Sequence, residues 1–411
     1  MRGRAGVATS PLTSCSQLGQ SSYDVPMRRI YLDNAATSWP KPPSVYDAVD
    51  RYQRENGAAV GRSATRAGTA IQKAVDQARR QAARLLGARS PQSISFGFNG
   101  TDVLNTVLHG WLKPGQHVVT SVAEHNSVLR PLRFLADRIG IHVDYLPVDA
   151  HGVINPDDLL PLLRDDTRLI ALTHASNVTG ALQPVEAVGQ IAAEKRIPFL
   201  IDAAQTAGHV PINVEQLEAS FLATSGHKGL LGPLGTGVLY IKPGLESELA
   251  PLRQGGTGTA SEDESVAASG PDRYEAGNHN APGLAGLAAS LDWLLDRGVD
   301  QIHSHEIAMI ERFLQGLAGL PGVVLPGPTR PEERVGTISL VIPGLDPQTA
   351  ASLLEAEFSI ESRAGLHCAP RMHAALGTLS GGGTVRVSVG PFTTNEEIDA
   401  AVQAIRTLAG C

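Results

Sequence analysis

From residue 93 onward, short apolar runs alternate with longer stretches in which apolar residues recur every three or four positions. The runs at 93–96, 117–121, 142–147, 169–173, 198–201, 221–224 and 237–241 are rich in β-branched residues or bounded by turn residues, and they predict seven strands. Helical spacing at 70–86, 102–111, 128–138 and 184–195 predicts helices between most of them. This alternation predicts the α/β class, with a mostly parallel sheet sandwiched by helices. In such sheets ligands bind beyond the carboxyl ends of the strands. The polar motifs fall there: GTD after Phe96, EH after Ser121, SN after Thr173, DAAQ after Ile201 and SGHK after Thr224.

The pattern then changes. Residues 253–271, RQGGTGTASEDESVAASGP, are Gly/Ser-rich and acidic and read as a long mobile loop. Beyond them, helical spacing at 283–295, 304–317, 347–357 and 395–408 is joined by strand patterns at 337–342 and 384–389. We read a large domain over 27–280, its first residues packing on the other domain, and a smaller α+β C-terminal domain over 281–411. Residues 1–26 lack apolar periodicity and have no apolar core of a secretory signal, so they read as a disordered tail. Met27 is a candidate alternative start.

Composition narrows the function classes. The 411 residues are enough for more than one domain. The net charge of −7 argues against nucleic acid or an anionic membrane as the main partner. No apolar run is long enough to span a bilayer. Cys15, Cys368 and Cys411 are too few and scattered for a disulfide framework or a metal knuckle. We expect no bound metal and a reducing, cytoplasmic setting.

The chemistry centres on Lys228, at the mouth of the 221–224 strand among small and hydroxyl residues. A lone loop lysine is usually a solvated charge. A lysine in this setting is also suited to form a Schiff base with an aldehyde cofactor. Asp202 ends the 198–201 strand, where it fits either a helix cap or a carboxylate that holds a pyridinium nitrogen protonated. His125 follows Glu124 just after a strand; it is either structural or a ring that stacks on the cofactor and relays protons. Gly100 and Thr101 open a helix as an anion-binding turn, and Ser225 and His227 are placed to complete a phosphate cup. Cys368 lies in the polar loop SRAGLHCAP beside Arg363 and His367, and cationic neighbours suit a reactive thiol. Arg386 interrupts the apolar alternation of TVRVSV, as a surface charge or as a clamp for a substrate carboxylate.

Taken together, YLDNAATS, NGTD, AEHNS, THASNVTG, IDAAQTAGH, TSGHKGLLGPLGTG, RYEAGNHN, RAGLHCAP and VRVSVGPFTT resemble the class V, fold-type I pyridoxal-phosphate enzymes. More narrowly, they resemble the cysteine desulfurases and selenocysteine lyases of the SUF-type, short-loop group. The resemblance runs from Tyr31 to Ile398. It implies pyridoxal 5'-phosphate held by Lys228, with His125 stacked on the ring. Asp202 would pair with the ring nitrogen and Gln205 with the phenolic oxygen. Gly100, Thr101, Ser225 and His227 would hold the phosphate. It implies Asn177 and Arg386, with Arg363, at the substrate, and Cys368 as the sulfur acceptor. It implies a homodimer in which Asn278, where relatives carry Thr, reaches across to the phosphate. The implied reaction turns L-cysteine into alanine and passes a Cys368 persulfide to an acceptor protein, for iron–sulfur cluster assembly or another sulfur-transfer pathway. Selenocysteine lyase, cysteine sulfinate desulfinase and other class V aminotransferase-type reactions are the alternatives. The sequence departs from the family in lacking a second Thr in the NGTD turn and in the length of GLLGPLGTG.

Overall fold

The computed structural model describes residues 29–61, 65–256, 264 and 270–410. The tail read over 1–26, most of the loop read over 253–271, Cys15 and Cys411 lie outside the described residues. The chain enters through a two-residue strand, β1 (Ile30–Tyr31), and helices α1 (Pro43–Arg51) and α2 (Arg66–Leu85). A one-turn π-helix, Tyr52–Asn56, follows α1 directly. The central strands follow: β2 (Ile94–Gly97), β3 (His117–Ser121), β4 (His142–Leu146), β5 (Thr167–Thr173), β6 (Phe199–Asp202), β7 (Phe221–Ser225) and β8 (Gly237–Ile241). Helices α3 (Gly100–Trp111), α4 (Asn126–Ile139) and α5 (Val185–Lys195) lie between them in sequence.

These seven strands form one sheet in the order β2-β8-β7-β6-β5-β3-β4. Strands β3 to β7 run parallel, and β8 is antiparallel to both neighbours, so the sheet is mostly parallel as the sequence pattern predicts. Every residue of β3, β6, β7 and β8 is buried, as a sheet covered on both faces requires. Alternate side chains feed two cores. Ile170, Leu172, Ile201 and Leu222 join one; Leu169, Ala171, Leu200 and Phe221 join the other. Each such aliphatic or aromatic side chain contributes about 1.5–3 kcal/mol when fully buried. Asn99 caps α3 through its side-chain oxygen, which accepts from the Asp102 N–H at 2.9 Å.

A second packing unit follows. Helices α6 (Ala281–Arg297) and α7 (Val299–Leu317) precede β9 (Thr337–Leu340), α8 (Pro347–Phe358), β10 (Ile360–Glu361), β11 (Arg363–Gly365), α9 (Pro370–Ala375), β12 (Thr384–Ser388) and α10 (Asn395–Leu408). Its antiparallel sheet has the order β11-β12-β9, and its core gathers Phe313, Leu340, Leu354, Val387 and Ile405. The N-terminal segment belongs to this unit. Strand β1 pairs parallel with β10, and Leu32 sits in the same core.

One expected boundary differs. Helix α6, read with the C-terminal domain from residue 281, buries Leu284, Leu287, Leu291 and Leu294 in the core of the large sheet. Gly298, with a φ of 83°, breaks α6 from α7, and the packing unit changes within α7, whose Ile302 still joins the large-sheet core while Met309, Ile310 and Phe313 join the other. Among the described residues, no helix is long and apolar enough to cross a membrane.

Candidate active site

A cavity of 670 Å³ opens at the carboxyl ends of the central strands, facing the C-terminal unit. Twelve of the sequence-selected residues line it: Gly100, Thr101, His125, Asn177, Asp202, Gln205, Ser225, His227, Lys228, Arg363, Cys368 and Arg386. Asn278 does not. It is exposed and lines a neighbouring groove with Arg253 and Glu275, which shares Phe98 and Gly235 with the main cavity. Among the described residues, no group of three or more His, Cys, Asp or Glu is arranged to hold a metal.

Sheet register sets the floor. Thr173 is level with Asp202, and Asp202 with Ala223. Ser225 ends β7, and Lys228 follows three residues on. Helix α3 starts against this edge. A Cβ at Gly100 would lie 2.5 Å from the Ser225 hydroxyl, so only glycine lets the helix start touch that strand end. With Asp102 N–H taken by the Asn99 cap, the first-turn N–H groups of Gly100 and Thr101 have no intrahelical partners. The Thr101 hydroxyl meets Ser127 at 2.7 Å, and Ser127 N–H donates to His125 Nδ1 at 3.0 Å. That acceptor role puts the proton of a neutral His125 ring on Nε2.

Burial governs the charge states. It pushes Lys228 down to about 8, opposed by Asp202 and reinforced by Arg386 and Arg363. The Lys228 side-chain amine has no hydrogen-bond or ion-pair partner among the described residues. Asp202 is raised, chiefly by burial, against the Ala204 N–H that donates to it at 3.0 Å and the Lys228 charge. The helix-cap reading of Asp202 fails, since no helix lies between β6 and β7 and the Ala204 N–H bond caps a turn. His125 and His227 are both pushed down to about 4 by burial and then by Lys228, so both rings are neutral at neutral pH. Gln205 donates to the Ala35 carbonyl at 3.1 Å, which ties the N-terminal segment to the cavity floor.

The remaining wall comes from the C-terminal unit. Arg386 is almost fully buried on β12, so the surface-charge reading fails. Its guanidinium donates to Asp33 Oδ1 at 2.7 Å and to the Asn177 carbonyl at 3.2 Å. Exposed Arg363 stands 4.0 Å from the other Asp33 oxygen. Cys368 is exposed, on a loop where His367 and Cys368 both hold left-handed backbone, φ 48° and 60°. For side-chain-bearing residues this costs on the order of 1–3 kcal/mol each. The loop is pinned from several sides. Asn177 Nδ2 donates to the His367 carbonyl at 2.5 Å, and Asn126 N–H to the Cys368 carbonyl at 2.7 Å. His367 Nε2 donates to the Thr384 carbonyl at 3.1 Å. The expectation of His367 as a cationic neighbour of the thiol is corrected: burial and Arg386 hold its ring neutral, down to about 2.

Sequence reasoning missed Asp33, Glu124 and Ser127. Asp33 lies inside the quoted YLDNAATS motif, yet its partner Arg386 is 353 residues away. Glu124 is completely buried beside the site. One oxygen accepts from Ser121 and the Thr173 N–H, and burial with Asp202 raises it to about 8. A carboxylate directly before His125 was the available signal.

Relatives carry the same architecture. A probable cysteine desulfurase of Methanothermobacter thermautotrophicus is 35% identical over 94% of this chain and 97% of its own. A cysteine desulfurase of Salmonella agona is 32% identical over 91% and 92%. Among solved structures, the apo cysteine desulfurase of Thermococcus onnurineus NA1 superposes with a TM-score of 0.87 at 34% identity, covering 93% of this chain and 95% of that one. The Escherichia coli cysteine desulfurase CsdA gives 0.83 at 31% identity, over 93% and 95%. The sequence profile described as aminotransferase class-V matches residues 30–401, and the chain belongs to that family.

Proposed function

We propose that this chain is a pyridoxal-phosphate-dependent cysteine desulfurase, which turns L-cysteine into L-alanine and takes the sulfur on Cys368. The observation that carries this reading is the meeting of Lys228, an exposed Cys368 and Arg386 in the lining of one cavity. The residues fit the cofactor. Lys228 offers an unpartnered amine lowered to about 8, Asp202 a buried carboxylate, and Gly100 and Thr101 the open N–H groups of α3 beside Ser225 and His227. The buried Nδ1 of His227 also has no partner among the described residues. Bound there, the cofactor supplies an electron sink for the amino acid's Cα.

The chain's own groups do the rest. Arg386, kept charged beside Asp33, orients the substrate carboxylate, with Arg363 as a second cation at the mouth. Lys228 in its neutral form takes the Cα proton. The Cys368 thiolate attacks the substrate sulfur, so that an S–S bond forms as the Cβ–S bond breaks. Carbon keeps the electron pair and is protonated to the methyl group of alanine. His125 is a neutral ring in the cavity lining whose Nε2 is the nitrogen left to donate. In a homodimer, a second copy would cover the exposed Asn278, Phe98 and Leu234 at the mouth, with Asn278 reaching the other copy's phosphate.

The test is alanine and sulfide release from L-cysteine with a thiol reductant, beside Cys368→Ala. Equal alanine and sulfide, both lost in the variant with cofactor absorbance kept, support the reading. Undiminished alanine from the variant overturns the role of Cys368. Turnover of selenocysteine or cysteine sulfinate without turnover of cysteine moves the assignment to those substrates.

A further inference from the structure

A second groove of 380 Å³ lies outside the active-site cavity, against the back of the Cys368 loop. Its lining joins one face of α4, the edge strand β4 and the start of α9. Leu129, Val143, Tyr145 and Pro370 give it an apolar floor; Arg130, Arg133 and Arg371 give it a cationic rim. All three arginines are exposed, and no carboxylate lines the groove. Arg133 is shared with Asp137 at 2.8 Å, outside the lining. Arg371 lies over the Tyr145 ring at 3.8 Å, which orients it without neutralising it. Arg130 has no ion-pair partner among the described residues.

The groove is mechanically continuous with the thiol. Asn126, on its lining, donates its N–H to the Cys368 carbonyl at 2.7 Å. Arg371 is three residues after Cys368, so the chain between them spans at most about 11 Å. The whole chain carries a net charge of −7, which repels acidic proteins at long range. Arg130 and Arg371, without a carboxylate in the groove, reverse that repulsion beside the thiol, where a sulfur acceptor must approach.

We propose that this groove docks the acidic face of a thiol-bearing acceptor protein, which takes the sulfur from Cys368. The inference rests on the desulfurase reading above. In the transfer, the acceptor thiolate attacks the outer sulfur of the Cys368 persulfide. A new S–S bond forms on the acceptor, the bond to Cys368 Sγ breaks, and Cys368 leaves as thiolate. No external oxidant or reductant is needed.

The probes are two short single-cysteine peptides, one with glutamates around the cysteine and one with lysines. The readout is alanine release under cysteine turnover, with dithiothreitol as a small uncharged reference acceptor. The acidic peptide is expected to turn over the wild type about tenfold faster than the basic one at low salt. That advantage shrinks as the salt rises from about 0.01 to about 1 M and the screening length falls from about 30 Å to about 3 Å. In Arg130→Glu/Arg371→Glu the preference vanishes or inverts, while the dithiothreitol rate stays at the wild-type level. Equal peptide rates in the wild type, or a preference that survives the double variant, overturn the proposal. Saturable binding of a DNA oligonucleotide without peptide discrimination assigns the face to nucleic acid and also overturns it. Absence of alanine even with dithiothreitol strikes the desulfurase reading itself, and this is distinguishable from failure of the groove alone.

Discussion

Asn177 is the residue whose substitution separates two roles most cleanly. Family resemblance gives it to the substrate carboxylate, whereas its side-chain nitrogen donates to the His367 carbonyl at 2.5 Å. Asn177→Ala leaves that carbonyl without its Asn177 partner in a buried setting, at about 1–3 kcal/mol. The same bond helps hold two left-handed residues, each strained on the order of 1–3 kcal/mol, so the loop has reason to relax once released. If the lost energy falls on the geometry of thiol attack, the rate drops roughly ten- to hundredfold, at about 1.4 kcal/mol per decade. The assay is rapid-mixing measurement of alanine formed in a single turnover, with KM followed separately and cofactor absorbance as the control. We expect kcat to fall, KM to move little and the absorbance to persist. A raised KM with unchanged kcat would place Asn177 at the substrate and refute the loop-pinning argument.

Three further outcomes are checkable. Capture of pyridoxal phosphate by apoenzyme needs a neutral Lys228 amine, so its rate should rise with pH to a midpoint near 8; a midpoint near the ordinary 10.5, read by absorbance, contradicts the burial argument. Gly226→Ala would put a Cβ 2.0 Å from the Thr236 hydroxyl and 2.8 Å from its Cβ, so we expect about 1–3 kcal/mol of destabilisation in urea titration and weakened cofactor retention. His209, on the large unit, pairs with Glu306 of α7 at 2.8 Å, and although burial opposes it, that partner raises its pKa above 6.5. Stability from such a raised group is fully present below pH 6.5 and is lost as pH rises through the raised value, so the melting-temperature gap between wild type and His209→Gln should be widest below pH 6.5 and narrow above it.

Much of the site was legible because its parts are local. Each of His125, Asp202 and Lys228 sits within four residues of a strand end that apolar patterning marks, and sheet register then gathers those ends. The C-terminal wall was legible only as residue types. Neither His367 nor Cys368 is a glycine, so nothing in the sequence announces their left-handed backbone. The Asp33–Arg386 pair needs β1 to cross to the far unit, and a two-residue strand leaves too little pattern to predict that. Helix α1 was not predicted; it opens on Pro42 as its cap and Pro43 as its first residue. Helix α6 was read with the wrong neighbour because apolar spacing marks a buried face without naming what covers it.

The buried histidines fix the sign of the cavity. Of those lining it, His125 and His227 are held down to about 4 and His367 to about 2, and His174, outside the lining, is also held down to about 4, all chiefly by burial. The lining cations are therefore Lys228, Arg363 and Arg386, with Asp202 the one carboxyl group in the lining and Asp33 behind Arg386. That excess of positive charge suits an anionic phosphate and a substrate carboxylate together, while extra imidazolium charge would press on Lys228 and drive its amine further from protonation. The same burial has a cost on the acid side. Groups depressed below 6.5 stabilise the fold fully above that pH, and the contribution is lost as pH falls from 6.5 towards 4, because the unfolded chain takes up protons that the folded one refuses. Stability measured by urea titration should therefore decline between pH 6.5 and 4. His174→Gln, which removes a fully enclosed imidazole whose Nδ1 has no partner, should flatten that decline. An unchanged slope in the variant would mean that His174 charges inside the folded protein, and that burial does not keep it neutral.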